Sequence, residues 1–335
     1  MIFSLAGLFV LSLLVGARAT DPGEVLRIMP QAVRLAFDAD FAASQPFNDL
    51  QLLIAGRVPR AVLAIFAGGA LGAAGALMQG FTRNPLADPG ILGVNAGAAA
   101  AIAIALTLGI VSSPTQFLWP ALVGALATTV VVFLLAARGR GAGSYGPLAY
   151  VLAGMALTAL LMSVVNALML QNAAVLDMLR VWSTGSVAGR DLAVARSTVV
   201  VLILGLIASV FLGRTLNLLS LGDDIAASLG INVAGAQLMG LLTISVLGAV
   251  AVSCAGPVMF IGLAAPHMVR SLTGPDYRQI IPLSICLGAV LALVADILGR
   301  LLAQPGELPM GIVLALMGVP LFITLVRRGF VRGGV

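Results

Sequence analysis

Charge-free apolar runs alternate along this chain with short stretches rich in Gly, Pro, Asn, Asp and Arg. A helix needs about 20 apolar residues to cross a bilayer core. Ten runs reach or approach that length, at 2–17, 59–80, 91–111, 117–137, 147–170, 192–213, 234–254, 257–269, 280–303 and 308–326. The pattern predicts an all-α polytopic membrane protein of about ten transmembrane helices. The eighth run is too short to cross alone and joins the seventh through Gly256-Pro257, which predicts a broken or tilted helix. At membrane depth such a break is tolerated only where protein buries it or it lines a cavity.

The run 1–16 leads into Ala17-Arg18-Ala19, which has the form of a signal cleavage site. It lacks a basic n-region and further spans follow, so a first transmembrane helix is expected, cut short by a start codon placed too late. Residues 18–56 form the longest polar stretch, with Asp21, Glu24, Asp38, Asp40 and Asp49. They predict an extramembrane loop with some amphipathic helix.

Composition narrows the function. Of 335 residues 60% are hydrophobic and 9% charged, and a mean hydropathy of +1.11 excludes a soluble single-domain enzyme. All 18 basic residues are Arg. Without Lys there is no Walker A lysine, Schiff base or lysine general base. If nucleotide hydrolysis drives this protein, another chain supplies it. The net charge of +5 is spread along the chain, so no basic stripe points to nucleic acid. Cys254 and Cys286 sit inside apolar runs as packing residues and predict neither a disulfide framework nor a metal site.

Orientation is nearly balanced. With an internal N-terminus and ten spans, nine of the 18 arginines fall on the cytoplasmic side. The other nine share their loops with most of the acids, whereas the Arg138-Gly139-Arg140 loop and the tail with Arg327, Arg328 and Arg332 have none. Both termini are therefore expected inside.

Several stretches depart from lipid-facing helix. Gly68, Gly69, Gly72 and Gly75, with Gly93 and Gly97, have the spacing that lets helix backbones approach closely. Residues 79–93, with Asn84, Pro85, Asp88 and Pro89, read as a turn capped by Asp88 or Asn84, or as a surface for a partner. Residues 214–232 contain a two-turn helix, with Asp223 placed to cap it and Gly230 to end it. Such a helix is not stable in water by itself. Exposed, it needs something to bury Ile225 and Leu229: its own bundle, or a groove on another subunit.

His267, the one histidine, has no Cys, Asp or Glu at ligand spacing and no nucleophile in view, so it reads as a satisfied structural group at a helix end. Asp296 and Arg300, four apart, share a helix face and can pair, which lowers the cost of holding them near lipid. A proton relay through these and Glu307 is disfavoured, because no run carries an acid at its centre.

Taken together, Arg57-Val58-Pro59-Arg60, residues 79–93, Leu221-Gly222-Asp223-Asp224 with Ala227 and Leu229-Gly230, Gly256-Pro257 with Gly262, Pro266, His267 and Arg270, and Glu307-Leu308-Pro309 resemble one family. It is the FecCD/BtuC type of membrane permease in ABC importers of iron-siderophore complexes, haem and cobalamin. The resemblance runs through nearly the whole chain from residue 50. It departs from the family in its short N-terminus and in Tyr277, where His is common.

The resemblance implies the type II ABC importer permease fold as a single transmembrane domain over 1–335, with 18–56 extracytoplasmic and 214–232 a cytoplasmic coupling segment. It implies a dimer with a second copy or a paralogue, in the lipid of the bacterial inner membrane. Two ATPase subunits and a periplasmic or lipoprotein substrate-binding protein complete the assembly, with no cofactor and no nucleic acid. Leu221, Gly222, Asp223, Asp224, Ile225, Ala227, Leu229 and Gly230 look like the helices that fit a cleft in the ATPase. Arg57, Arg60 and Arg300 look like outward-facing residues that pair with glutamates of the binding protein. Asn84, Pro85, Asp88, Pro89, Gly262, Pro266, His267, Arg270, Glu307 and Pro309 look like structural or gating residues. An iron(III)-siderophore is the expected cargo, with cobalamin or haem as alternatives. A proton-driven secondary carrier is the competing class; an intramembrane enzyme has no nucleophile and base to support it.

Overall fold

The computed structural model describes residues 2–16, 20–44, 46–138 and 146–332. Ala17-Arg18-Ala19 and Arg140 lie outside the described residues. Helix α1 (Ile2–Leu14) is followed by α2 (Pro22–Phe37) and α3 (Ala39–Ser44), and then by the long α4 (Asp49–Thr82). A 3-10 turn at Pro89–Leu92 leads into α5 (Val94–Thr107), and another at Pro114–Gln116 into α6 (Leu118–Arg138). Next come α7 (Gly146–Gln171), α8 (Ala173–Ser183), α9 (Leu192–Leu219) and the short α10 (Asp223–Ser228). The chain ends in α11 (Val233–Ala255), α12 (Ile261–Thr273), α13 (Tyr277–Leu302) and α14 (Met310–Arg332).

Each of the ten expected runs coincides with a helix. Among the described residues six helices are long and apolar enough to cross a membrane: α4, α6, α7, α9, α11 and α13. Phe3–Leu14, Val94–Thr107 and Met310–Pro320 are shorter apolar helices. The break at Gly256-Pro257 is real: α11 stops at Ala255, and α12 restarts at Ile261 and runs for 13 residues.

The stretch 18–56 is more helical at its end than a loop. Asn48 caps α4 in a reciprocal box with Gln51, so residues 49–56 already belong to that helix. Helix α2 is the expected amphipathic one. Its Val25 and Ala32 pack with Leu13, Ile54 and Val58 into a small separate core.

Helix α4 is the centre of the bundle, packed against α9, α11, α12 and α13. Its glycines explain how. A Cβ on Gly68 would collide with the backbone of Gly288, on Gly72 with the carbonyl of Ser284, and on Gly75 with the carbonyl of Gly262. Backbone lies directly on backbone along this seam, as small residues permit in membrane bundles. Gly97 and Gly124 do the same for α5 and α6. A buried hydroxyl pair, Thr129 and Ser245, joins α6 to α11.

Candidate functional site

Two polar clusters mark opposite ends of α4. At its start, Arg60 Nε donates to Asp296 Oδ1 at 2.7 Å and its Nη1 pairs with Glu307. Arg300 Nη2 lies 2.9 Å from Asp296 Oδ2, so the i, i+4 pair expected on α13 is present. Arg300 Nη1 also donates to the carbonyls of Ser12 (2.8 Å) and Val15 (2.7 Å), and Nη2 to Ser12 Oγ (2.7 Å). Arg57 Nη1 donates to the carbonyls of Leu13 and Leu14 at 2.7 and 3.2 Å. These are the last carbonyls of α1, which have no partner within their own helix and which cations complement.

This arrangement corrects the expectation that the side chains of Arg57, Arg60 and Arg300 face outward. They are 8%, 9% and 1% exposed. A guanidinium in a poorly solvated place must find its acceptors within the protein, and all three do. Among these groups Glu307 is the one that lies at the surface.

At the other end, α4 stops at Thr82 and Arg83 adopts the left-handed conformation (φ 51°), uncommon outside glycine. Its side chain crosses to the end of α9. Nη2 donates to the Leu219 carbonyl at 2.6 Å and pairs with Asp223 in the first turn of α10. Asp223 therefore corrects a second expectation. Gly222 occupies the cap position (φ 117°) without a side-chain cap bond, and Asp223 is spent on Arg83. Gly230, at φ 85°, follows the end of α10 as expected. Leu221, Ile225 and Leu229 are 56%, 50% and 57% exposed, while Ala226 is buried. Asp224 and Ala227 are exposed beside them. The short helix thus carries an apolar face that its own bundle leaves open.

Asn217, two residues before the end of α9, joins the same region to α13. Its Nδ2 donates to Asp276 Oδ1 at 2.6 Å and its Oδ1 accepts from Tyr277 N at 2.9 Å. Arg270 Nη2 donates to Tyr277 Oη at 2.6 Å, and its guanidinium stands over that ring. The bonds from the Asn217 amide and from Arg278 N hold the Asp276 carboxyl below the usual carboxylate range. The sequence reading missed Arg83 and Asn217, whose partners lie 140 and 59 residues away.

The turn after α4 is capped by both candidate residues. Asn84 Oδ1 accepts from Leu86 N at 2.9 Å, and Asp88 Oδ1 from Gly90 N at 2.8 Å. Burial raises the Asp88 carboxyl above its ordinary value. Pro85 is exposed and Pro89 buried, the latter packed where a Cβ on Gly262 would fall. Pro266 is buried within α12. His267 corrects a third expectation: it sits mid-helix, and its buried Nδ1 has no hydrogen-bond partner. Pro309 precedes α14 and accepts from Ile312 N at 3.0 Å.

A cavity of about 740 Å³ opens between α5, α7, α8 and α12, lined mainly by apolar groups with Asp88, Asn95 and Thr158 among them. Among the described residues no three His, Cys, Asp or Glu groups gather to hold a metal ion. The arrangement is one of helix junctions, an open apolar knob and a mostly apolar hollow.

Known proteins resemble this chain in sequence and in fold. The ferric enterobactin transport system permease protein FepD of Escherichia coli (strain K12) is 41% identical over 324 residues, 97% of this chain and 92% of that one. The probable siderophore transport system permease protein YfiZ of Bacillus subtilis (strain 168) is 39% identical, covering 82% of this chain and 81% of its own. A solved structure described as an inward-facing metal-chelate type ABC transporter superposes with a TM-score of 0.79 at 26% identity, over 97% of this chain and 96% of that one. Residues 4–328 match one family end to end, so the chain belongs to the FecCD transport family.

Proposed function

We propose that this chain is the permease of an importer for iron(III)-siderophore complexes, moving its cargo across the inner membrane by alternating access. As a FecCD permease it is a non-enzymatic membrane subunit, and ATP is hydrolysed on a separate subunit. The observation that carries the cargo is its 41% identity to a ferric enterobactin permease over 97% of its length. Lack of lysine agrees, because a permease that never binds ATP needs no phosphate-binding lysine.

In this reading the chain is one transmembrane domain. Leu221 to Gly230 is the cytoplasmic coupling segment, and Leu221, Ile225 and Leu229 enter a cleft on the ATPase. Two ATPase subunits, a second permease copy or paralogue and a substrate-binding protein complete the assembly. Both termini lie inside, which puts the Arg83 end of α4 on the cytoplasmic side and residues 18–56 outside. The exposed apolar faces of α7 (Leu152, Met155, Leu160) and α14 (Ile312, Leu316) are left for lipid and for the second permease.

Uptake of a labelled ferric siderophore by cells lacking the gene, against the same cells complemented, tests the cargo. Loss and rescue are expected. Unchanged uptake in a strain with no redundant transporter overturns the siderophore assignment, and the same assay with haem and cobalamin then identifies the cargo. Uptake that survives ATP depletion and collapses with an uncoupler would instead mark a secondary carrier.

A further inference from the structure

The residues at the Arg83 end of α4 form a connected set whose arrangement exceeds what helix capping requires. A single side chain, Arg83, satisfies the last carbonyl of α9 and pairs with the first residue of α10, so it spans the Leu219–Asp223 turn from outside. It does so from a left-handed backbone position that a non-glycine residue takes only at some cost. Asn217, in the last turn of α9 just before it, clamps that helix end to the start of α13 by one donated and one accepted bond. The root of α10 is thus held directly by Arg83 at the end of α4 and, through the end of α9, by α13.

Helices α4 and α13 are closely packed along their length. Between their ends Gly68 lies on Gly288 and Gly72 on Ser284, backbone against backbone. At the far end Arg60 binds Asp296 at 2.7 Å. From Arg60 to Arg83 the helix rises about 35 Å at 1.5 Å per residue. Close-packed contacts of this kind transmit displacement because they have no slack to absorb it.

We propose that Arg83 is a positioning residue that fastens α10 to the α4–α13 pair, so that a thrust on α10 moves both helices together. The proposal rests on α10 being the segment that meets the ATPase. An exposed ion pair adds little stability by itself; here its consequence is the angle and height of α10 relative to α4. Both bonds leave one nitrogen, Nη2, at the tip of a long side chain, so a single cationic group holds the carbonyl and the carboxylate together.

The test uses the complete transporter in proteoliposomes with its binding protein, and reads cargo taken up per ATP hydrolysed. Arg83→Ala is expected to lower that ratio roughly five- to tenfold, the low end of ordinary coupling free energies, with ATPase subunits still bound. The exchange Arg83→Asp with Asp223→Arg re-forms the ion pair without the bond to the Leu219 carbonyl and is expected to restore part of the ratio. A merely structural role predicts lower assembly yield and an unchanged ratio in whatever assembles.

An unchanged ratio in Arg83→Ala overturns the proposal, as does a defect that the exchange fails to repair even in part. Ile225→Arg, in parallel, separates the two readings. If it leaves the ATPase bound and coupling intact, the assignment of α10 itself fails. If it releases the ATPase while Arg83→Ala changes nothing, the failure is that of Arg83 alone.

Discussion

The Asp296 carboxylate stands between Arg60 and Arg300, with 2.7 Å from Arg60 Nε to one oxygen and 2.9 Å from Arg300 Nη2 to the other. The first contact is a well-aimed hydrogen bond; the second is an ion pair without hydrogen-bond alignment. One acid, 1% exposed, thereby serves two buried cations on two helices. Removing one partner of a buried network leaves uncompensated charge, which costs about 3–5 kcal/mol. Asp296→Ala is expected to lose that much by thermal or denaturant unfolding in detergent. Glu307→Ala is expected to cost far less, because its side chain is 35% exposed and water replaces the contact.

The same burial gives an expectation about docking. Charge reversal at Arg57 or Arg300 should reduce the yield of folded chain, through loss of the bonds to the end of α1. In what does fold, binding-protein affinity measured at low and high salt should keep its wild-type salt dependence. A salt slope that falls in Arg57→Glu, with folding intact, would return this residue to the docking surface.

These residues also show which features were legible in the sequence. Asp296 and Arg300 were, because a pair four apart on a helix is a local relation. The break at Gly256-Pro257 and the ten apolar runs were legible for the same reason, since bilayer thickness and backbone chemistry act locally. Arg60 lies 236 residues from Asp296, and no local rule turns its side chain inward rather than outward. Asp223 was read as a cap because a carboxylate before a helix usually finds backbone donors. The cation that claims it comes from the end of α4, 140 residues earlier.

Glycines on α4 divide sharply by surroundings. A Cβ on Gly75 would fall on the Gly262 carbonyl, backbone that cannot swing aside, whereas one on Gly56 meets nothing within 4 Å. Gly75→Ala should therefore destabilise by about 1–3 kcal/mol, the range for overpacking. Gly56→Ala should be neutral or stabilise by about 0.4–1 kcal/mol, through loss of unfolded-state freedom in a helix. Detergent melting curves of the two variants side by side check the contrast, and equal effects would disprove the close seam between α4 and α12.

Asp276 carries a pH dependence whose sign follows from its lowered value. Bonds from the Asn217 amide and the Arg278 N–H favour the carboxylate in the folded state. The stabilisation is complete above the ordinary carboxylate value of about 3.9 and is lost as pH falls through the lowered folded value. Asp276→Asn removes this term while keeping a side-chain oxygen at the helix start. Between neutral pH and about pH 3 the wild-type melting temperature should fall towards that of the variant. A gap that stays constant with pH would show that the carboxylate is not held by these bonds.

The last expectation concerns the open face of α10. Leu221, Ile225 and Leu229 are each at least half exposed on or beside a six-residue helix that does not hold its shape in water without tertiary support. That support comes on one side from Ala226, buried against the bundle, and from Arg83. The other side is apolar and unpaired within this chain. If it seats in an ATPase cleft, each of the three behaves as a central anchor, and truncation costs about 1–2 kcal/mol of association or more. A charge there costs further, because it is carried into a dry contact. Ile225→Arg should release the ATPase subunits during purification while the permease still inserts and melts as the wild type does. Gln279→Arg, exposed at the start of α13 and outside the coupling segment, serves as the control for a general charge effect. Equal loss from both would trace the effect to added charge, and retention of the ATPase by Ile225→Arg would place the contact elsewhere on the chain.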